Sequence, residues 1–67
     1  MEIKLYSQPG CGMCNTIKRM LQLKHIEYED CEDTEVMKKL GITHPPVLEV
    51  DGTLFQGTEI RDWLNQQ

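Results

Sequence analysis

Cys11 and Cys14, separated by Gly12-Met13, are the side chains whose type and spacing point most directly to chemistry. Thiols this close at the mouth of a helix can close into a disulfide. The first turn of a helix leaves backbone N–H groups unpaired and carries the positive end of the dipole, so it stabilises an anion. A thiol there falls from its free pKa of about 8.5 towards neutrality, and the thiolate is the reactive form. Cys11 takes that place, at or just before the first helical residue. Cys14, one turn deeper, is set to attack a disulfide that Cys11 has formed with another molecule. The chemistry predicted is thiol–disulfide exchange.

The other candidate side chains are weaker. Cys31 lies in an acidic run, and adjacent carboxylates raise a thiol's pKa, which makes a structural, partly buried thiol the favoured reading over a regulatory or metal-ligating one. His44 has two readings. Its ring either leans towards Cys11, where an imidazolium would steady the thiolate, or it is an exposed loop residue. His25 ends a helix, where a cation is favourable. Structural zinc asks for four ligands, commonly two Cys-x-x-Cys pairs or one pair with two histidines. Only one such pair is present, and Cys31, His25 and His44 lack suitable spacing.

Size and composition narrow the classes further. The 67 residues make one domain, residues 1–67, with a small core. Three cysteines, an odd number, do not form a secreted disulfide framework. Met1-Glu2-Ile3-Lys4-Leu5 alternates with charge and is no signal segment, and no apolar run has membrane length. The expectation is a cytoplasmic protein, where a disulfide is transient and catalytic. A net charge of −4 argues against nucleic acid and anionic membranes as partners. Glu27, Glu29, Asp30, Glu32, Asp33 and Glu35 form a stretch with no basic residue, read first as a solvated loop and helix start and second as a patch for a basic partner.

Seven elements must position the cysteines. Ile3, Leu5 and Tyr6 form a short strand ended by the turn residues Ser7-Gln8-Pro9-Gly10. Met13, Ile17, Met20, Leu21 and Lys24 recur at helical spacing and predict a helix over 12–24. Ile26 and Tyr28 alternate with acids and suggest a second strand, which Cys31 ends. A short helix follows from Asp33 or Thr34, burying Val36, Met37 and Leu40 and ending at Gly41. Val47, Leu48 and Val50 lead into Asp51-Gly52, a hairpin signal, with Leu54 and Phe55 returning. Gly57-Thr58 opens a last helix that turns Ile60, Trp63 and Leu64 inward. The methionines and Trp63 are read as core. The order is β-α-β-α-β-β-α, with the first two strands parallel and the last two an antiparallel hairpin.

This element order behind a Cys-x-x-Cys, together with Thr43-His44-Pro45-Pro46-Val47-Leu48 before the hairpin, resembles the glutaredoxins and thioredoxins. The sequence looks like a small glutaredoxin from Met1 to about Leu64. The resemblance implies an α/β, thioredoxin-like fold, a four-stranded mixed sheet flanked by three helices. It implies a protein-disulfide oxidoreductase with Cys11 and Cys14 catalytic and Gly12, Met13, Thr43, His44, Pro45, Gly57 and Thr58 binding substrate. It also makes Pro45 the cis-proline facing the cysteines, with a trans Pro45–Pro46 bond after it, so that the preceding backbone pairs with an extended substrate.

Departures from the family pattern bear on the reductant. Glutathione-using members commonly carry Cys-Pro-Tyr-Cys, a lysine three residues before the first cysteine, and a Gly-Gly-Ser/Cys-Asp type segment opening the last helix. Those places hold Gly12-Met13, Gln8 and Gln56-Gly57-Thr58-Glu59 here. Lys18 and Arg19 resemble a Lys-Arg pair in the glutaredoxin-like electron donors of ribonucleotide reductase, which draw on thioredoxin reductase; ordinary solubilising charge is the competing reading. The implied partners are disulfide-bearing proteins, with glutathione or a thioredoxin-reductase-type flavoprotein as external reductant, no bound cofactor and a monomeric state. The alternative function is a metal or iron–sulfur cluster site on the same cysteines; a redox-dead binding module is disfavoured because both cysteines are intact.

Overall fold

The computed structural model describes residues 1–67 throughout. Its elements are β1 (Ile3–Tyr6), α1 (Gly12–Leu23), β2 (Glu29–Cys31), α2 (Thr34–Lys39), β3 (Val47–Val50), β4 (Thr53–Gln56) and α3 (Thr58–Asn65). The strands form one sheet in the order β2-β1-β3-β4. β1 and β2 run parallel, while β3 pairs antiparallel with both β1 and β4. This is the thioredoxin-like arrangement expected from the sequence.

Strand alternation sends successive side chains to opposite faces of the sheet. Ile3, Leu5, Leu48 and Val50 point to the face covered by α1 and α3, where they meet Ile17, Leu21, Ile60 and Leu64. Each helix contributes residues four apart, one above the other on its inner stripe. Tyr6 and Val47 face the other way and pack with Met37 of α2 and with Ile42. Leu5, Leu21, Leu48 and Leu64 are sealed from solvent, and burying each such side chain stabilises the fold by about 1.5–3 kcal/mol.

The helix stops follow from turn chemistry. After α1, His25 adopts φ +57° and the Ile26 N–H donates to the Leu21 carbonyl at 2.9 Å. After α2, Gly41 at φ +77° does the same work, with the Ile42 N–H donating to Met37 at 2.8 Å. Both left-handed residues turn the chain back to the sheet and satisfy the end carbonyls. Asp51 and Gly52 both have positive φ, as the hairpin between β3 and β4 requires.

Three expectations are corrected. The second strand, Glu29–Cys31, ends at Cys31 as expected but starts only after Ile26 and Tyr28, because parallel pairing aligns Lys4 with Glu29 and Tyr6 with Cys31; at the sheet edge this strand tolerates polar residues. Val36 and Leu40 remain 37% and 44% exposed, since a helix of six residues turns only Met37 fully onto the sheet. Met13 is 56% exposed, on the outward side of α1's first turn, and is not a core residue.

Candidate active site

The end of β1 delivers the chain to Gly10, whose φ of +76° reverses it into the first turn of α1. The Cys11 N–H closes this turn on the Gln8 carbonyl at 3.3 Å. Cys11 itself caps the helix with extended backbone, and its Sγ accepts the Cys14 N–H at 3.1 Å. The two Sγ atoms are paired as a disulfide, with the Cα atoms 5.2 Å apart. Cys11 is half-buried, whereas Cys14 is 1% exposed. The first turn of α1 holds no acidic residue, so nothing there opposes negative charge on the outer sulfur. Opening the disulfide would leave a thiolate at Cys11 that accepts a backbone N–H at the positive end of the helix.

Behind the cysteines lies a polar cluster that sequence reasoning passed over. Ser7, placed in the turn after β1, is buried to 0% exposure, and its Oγ donates to Asp30 Oδ1 at 2.6 Å. Lys18 of α1 meets the other oxygen, Oδ2, at 3.0 Å. Burial pushes the Asp30 carboxyl up, but the Ser7 and Lys18 hydrogen bonds outweigh it and hold the group below its usual value. The hydrogen bond to Asp30 in turn raises Lys18, against a smaller opposing effect of burial. The signal in the sequence was register. Asp30 stands opposite Leu5 on β1, hence on the α1 side of the sheet, where Ser7 follows Leu5 by two residues. Lys18 is thus engaged within the molecule, while Arg19 is exposed.

The residues assigned to substrate binding divide between two grooves. One, of about 290 Å³, is bounded by Gln8, Thr34, Lys38, Ile42, Thr43 and Pro45. Lys38 brings a cation to the place where Gln8 offers none, and it comes from α2, too distant in sequence to be matched to that position. The second groove, of about 220 Å³, lies between α1 and α3, with Met13, Ile17 and Met20 on one side and Gly57, Thr58 and Arg61 on the other. The structure therefore brings Thr43 and Pro45 together, and Met13, Gly57 and Thr58 together. Gly12 opens α1 and is exposed.

His44 is exposed at the bend and makes no side-chain hydrogen bond, so it follows the loop reading. The cis peptide bond is Pro45–Pro46, not His44–Pro45. The assignment of Pro45 as the cis-proline is therefore corrected by one residue. β3 starts at Val47, so the residue immediately preceding the strand is Pro46 and not Pro45. Cys31 is half-buried against the Tyr6 and Met37 cluster. No three His, Cys, Asp or Glu side chains come together as a metal-holding group.

Comparisons with known proteins agree with this geometry. A family model described as Glutaredoxin matches residues 3–55, from β1 through most of β4. Among solved structures, the crystal structure of the thioredoxin-like protein BC3987 superposes with a TM-score of 0.80 at 22% identity, covering 98% of this chain and 100% of that one. A mutant of the same protein gives 0.78 at 22% identity, covering 96% of each chain. At that identity the likeness concerns the fold. Among curated proteins, none matches the chain.

Proposed function

Because the chain belongs to the glutaredoxin family, we propose that it reduces protein or mixed disulfides through the Cys11–Cys14 dithiol. The observation that carries this reading is the asymmetry of the pair, with an accessible, helix-capping Cys11 bonded to a buried Cys14. In the reduced protein the Cys11 thiolate attacks one sulfur of a client disulfide. A mixed disulfide forms, and the other client sulfur leaves as a thiolate that takes up a proton. Cys14, losing its own proton, attacks Cys11, so the second client sulfur departs and the intramolecular disulfide remains. Two electrons pass from the dithiol to the client, and the two sulfurs carry them without a bound cofactor.

The reductant that reopens the Cys11–Cys14 bond is proposed as either glutathione or a thioredoxin-reductase-type flavoprotein. Gln8 and Met13 weaken the case for glutathione, and Lys38 in the groove beside Gln8 partly restores it. Ribonucleotide reductase is proposed as one client on the strength of the Lys18-Arg19 resemblance alone, and the engagement of Lys18 with Asp30 leaves Arg19 as its free member. A reducing cytosol is the compartment in which such a dithiol works.

The experiment is a coupled assay of NADPH oxidation, with glutathione plus glutathione reductase in one arm and thioredoxin reductase in the other. Slow turnover with glutathione and measurable coupling to thioredoxin reductase are expected. Fast glutathione-dependent turnover with no response to the flavoprotein reverses that order. Cys11→Ser is expected to abolish reduction, while Cys14→Ser accumulates mixed disulfides. Full protein-disulfide reduction by both variants would refute the dithiol mechanism.

A further inference from the structure

In the disulfide form, the sulfur atoms most reactive towards an oxidant are already bonded to each other. The Cys11 and Cys14 Sγ atoms are joined, so neither offers a thiolate. Cys31 is half-buried against Tyr6 and Met37. The four methionines differ more widely. Met37 is 4% exposed, Met20 is half-buried, and Met13 keeps 56% of its surface in solvent between the two cysteines. Met1 is also exposed, but it precedes β1, at the end of that strand away from the site.

A thioether gives its lone pair to a peroxide oxygen without first losing a proton. The S–O bond forms as the O–O bond breaks. The sulfur is oxidised by two electrons to the sulfoxide, and hydrogen peroxide is reduced to water. This converts a flexible apolar side chain into a polar, chiral one.

Position decides what that change does. Met13 forms one wall of the α1–α3 groove with Ile17 and Met20. A methionine wall adapts to apolar side chains, whereas a sulfoxide oxygen must shed water before such a side chain can cover it. The chemistry at Cys11 does not pass through the Met13 side chain, because Cys11 Sγ accepts the backbone N–H of Cys14. Oxidation of Met13 thus weakens docking and leaves the sulfur attack intact.

We propose that Met13 is a site of reversible sulfoxidation by peroxides, and that the modification slows reduction of clients with apolar residues beside their disulfide. This rests on the oxidoreductase reading and adds to it a control by oxidant, placed between the two cysteines.

The test starts from the disulfide form, treated with hydrogen peroxide and then freed of it with catalase. Dithiothreitol next reopens the disulfide and leaves sulfoxides in place. Peptide mapping by mass spectrometry is expected to show the added oxygen at Met1 and Met13 before Met20 and Met37. Single-turnover rates are then compared for a cystine peptide with Leu beside each Cys and for hydroxyethyl disulfide, which is too small to cover the groove. After peroxide the peptide is expected to react about tenfold more slowly, a decade of docking affinity, while the small disulfide changes by less than about twofold. In Met13→Leu, which stays apolar and takes up no oxygen, the ratio of peptide rates before and after peroxide should be near one, and in Met20→Leu the loss should persist. Methionine sulfoxide reductases, one for each sulfoxide epimer, should restore the peptide rate. Oxidation of Met20 or Met37 ahead of Met13, or an unchanged peptide rate once Met13 is oxidised, overturns the proposal and leaves the oxidoreductase reading standing. The same holds for an equal loss with both disulfides, an equal loss in Met13→Leu, or a loss that the reductases do not reverse. A protein that reduces neither disulfide before peroxide overturns both.

Discussion

Replacing Ser7 by alanine removes one oxygen from a fully buried site and one hydrogen bond from a charged acceptor. The bond to Asp30 is 2.6 Å long, and hydrogen bonds to charged groups contribute about 1.5–3 kcal/mol. Asp30 keeps a third of its side-chain surface in solvent and retains Lys18, so water replaces part of what is lost. We therefore expect Ser7→Ala to destabilise the protein by about 1 kcal/mol. In a domain of this size that lowers Tm by about 4–8 °C and the urea midpoint by about 1 M, taking a slope near 1 kcal/mol per M. The effect has a definite pH dependence. Asp30 titrates below its ordinary value of 3.8 in the folded protein. Its contribution is therefore present above that value and is lost as pH falls through the depressed folded value. The gap between wild type and Ser7→Ala should narrow over the same acid range. Urea melts under reducing conditions at neutral and acid pH measure both quantities, and a double-mutant cycle with Asp30→Ala, which removes the acceptor, isolates the pair. A coupling energy near zero, or a destabilisation unchanged where Asp30 is protonated, would refute the reasoning.

Three further outcomes follow from the same geometry. Alkylation of the reduced protein at mildly acidic pH should label Cys11 first, because it is accessible and accepts the Cys14 N–H, while Cys14 is buried; first labelling of Cys14 or Cys31 would reverse the assigned roles. Tyr6 should ionise at about 12, raised first by burial and then by its hydrogen bond to Glu49. An ultraviolet absorbance titration should show this, with Glu49→Gln moving it downward. The linked stability is fully present below 10 and is lost as pH rises through about 12. Leu21→Ala, at a side chain with no exposure, should cost about 2–5 kcal/mol by calorimetry or urea melts; a loss below about 1 kcal/mol would mean the site collapses around the smaller side chain.

Local rules were enough for much of the chain. The spacing of Cys11 and Cys14, the helical recurrence of Ile17 and Leu21, the stop at Gly41 and the turn at Asp51-Gly52 each depend on residues within a few positions of one another, and the structure has them all. Those are the cases where backbone preference and side-chain periodicity act over one or two turns. The errors have the opposite character. The second strand ends at Cys31 as expected but begins after Ile26 and Tyr28, because its register is set by β1 and not by its own apolar residues. Val36, Leu40 and Met13 are exposed because a periodic pattern says which side chains share a stripe and not how much of that stripe a neighbouring element covers. The cis bond shifted by one proline because the start of β3 fixes which of two adjacent prolines precedes the strand. The site divides in the same way. Its sulfur chemistry follows from spacing along one helix turn. The Ser7–Asp30–Lys18 cluster, the arrival of Lys38 beside Gln8, and the pairing of Met13 with Arg61 across the groove join residues from different elements. Only long-range packing brings those groups within reach, and no local pattern encodes such a meeting.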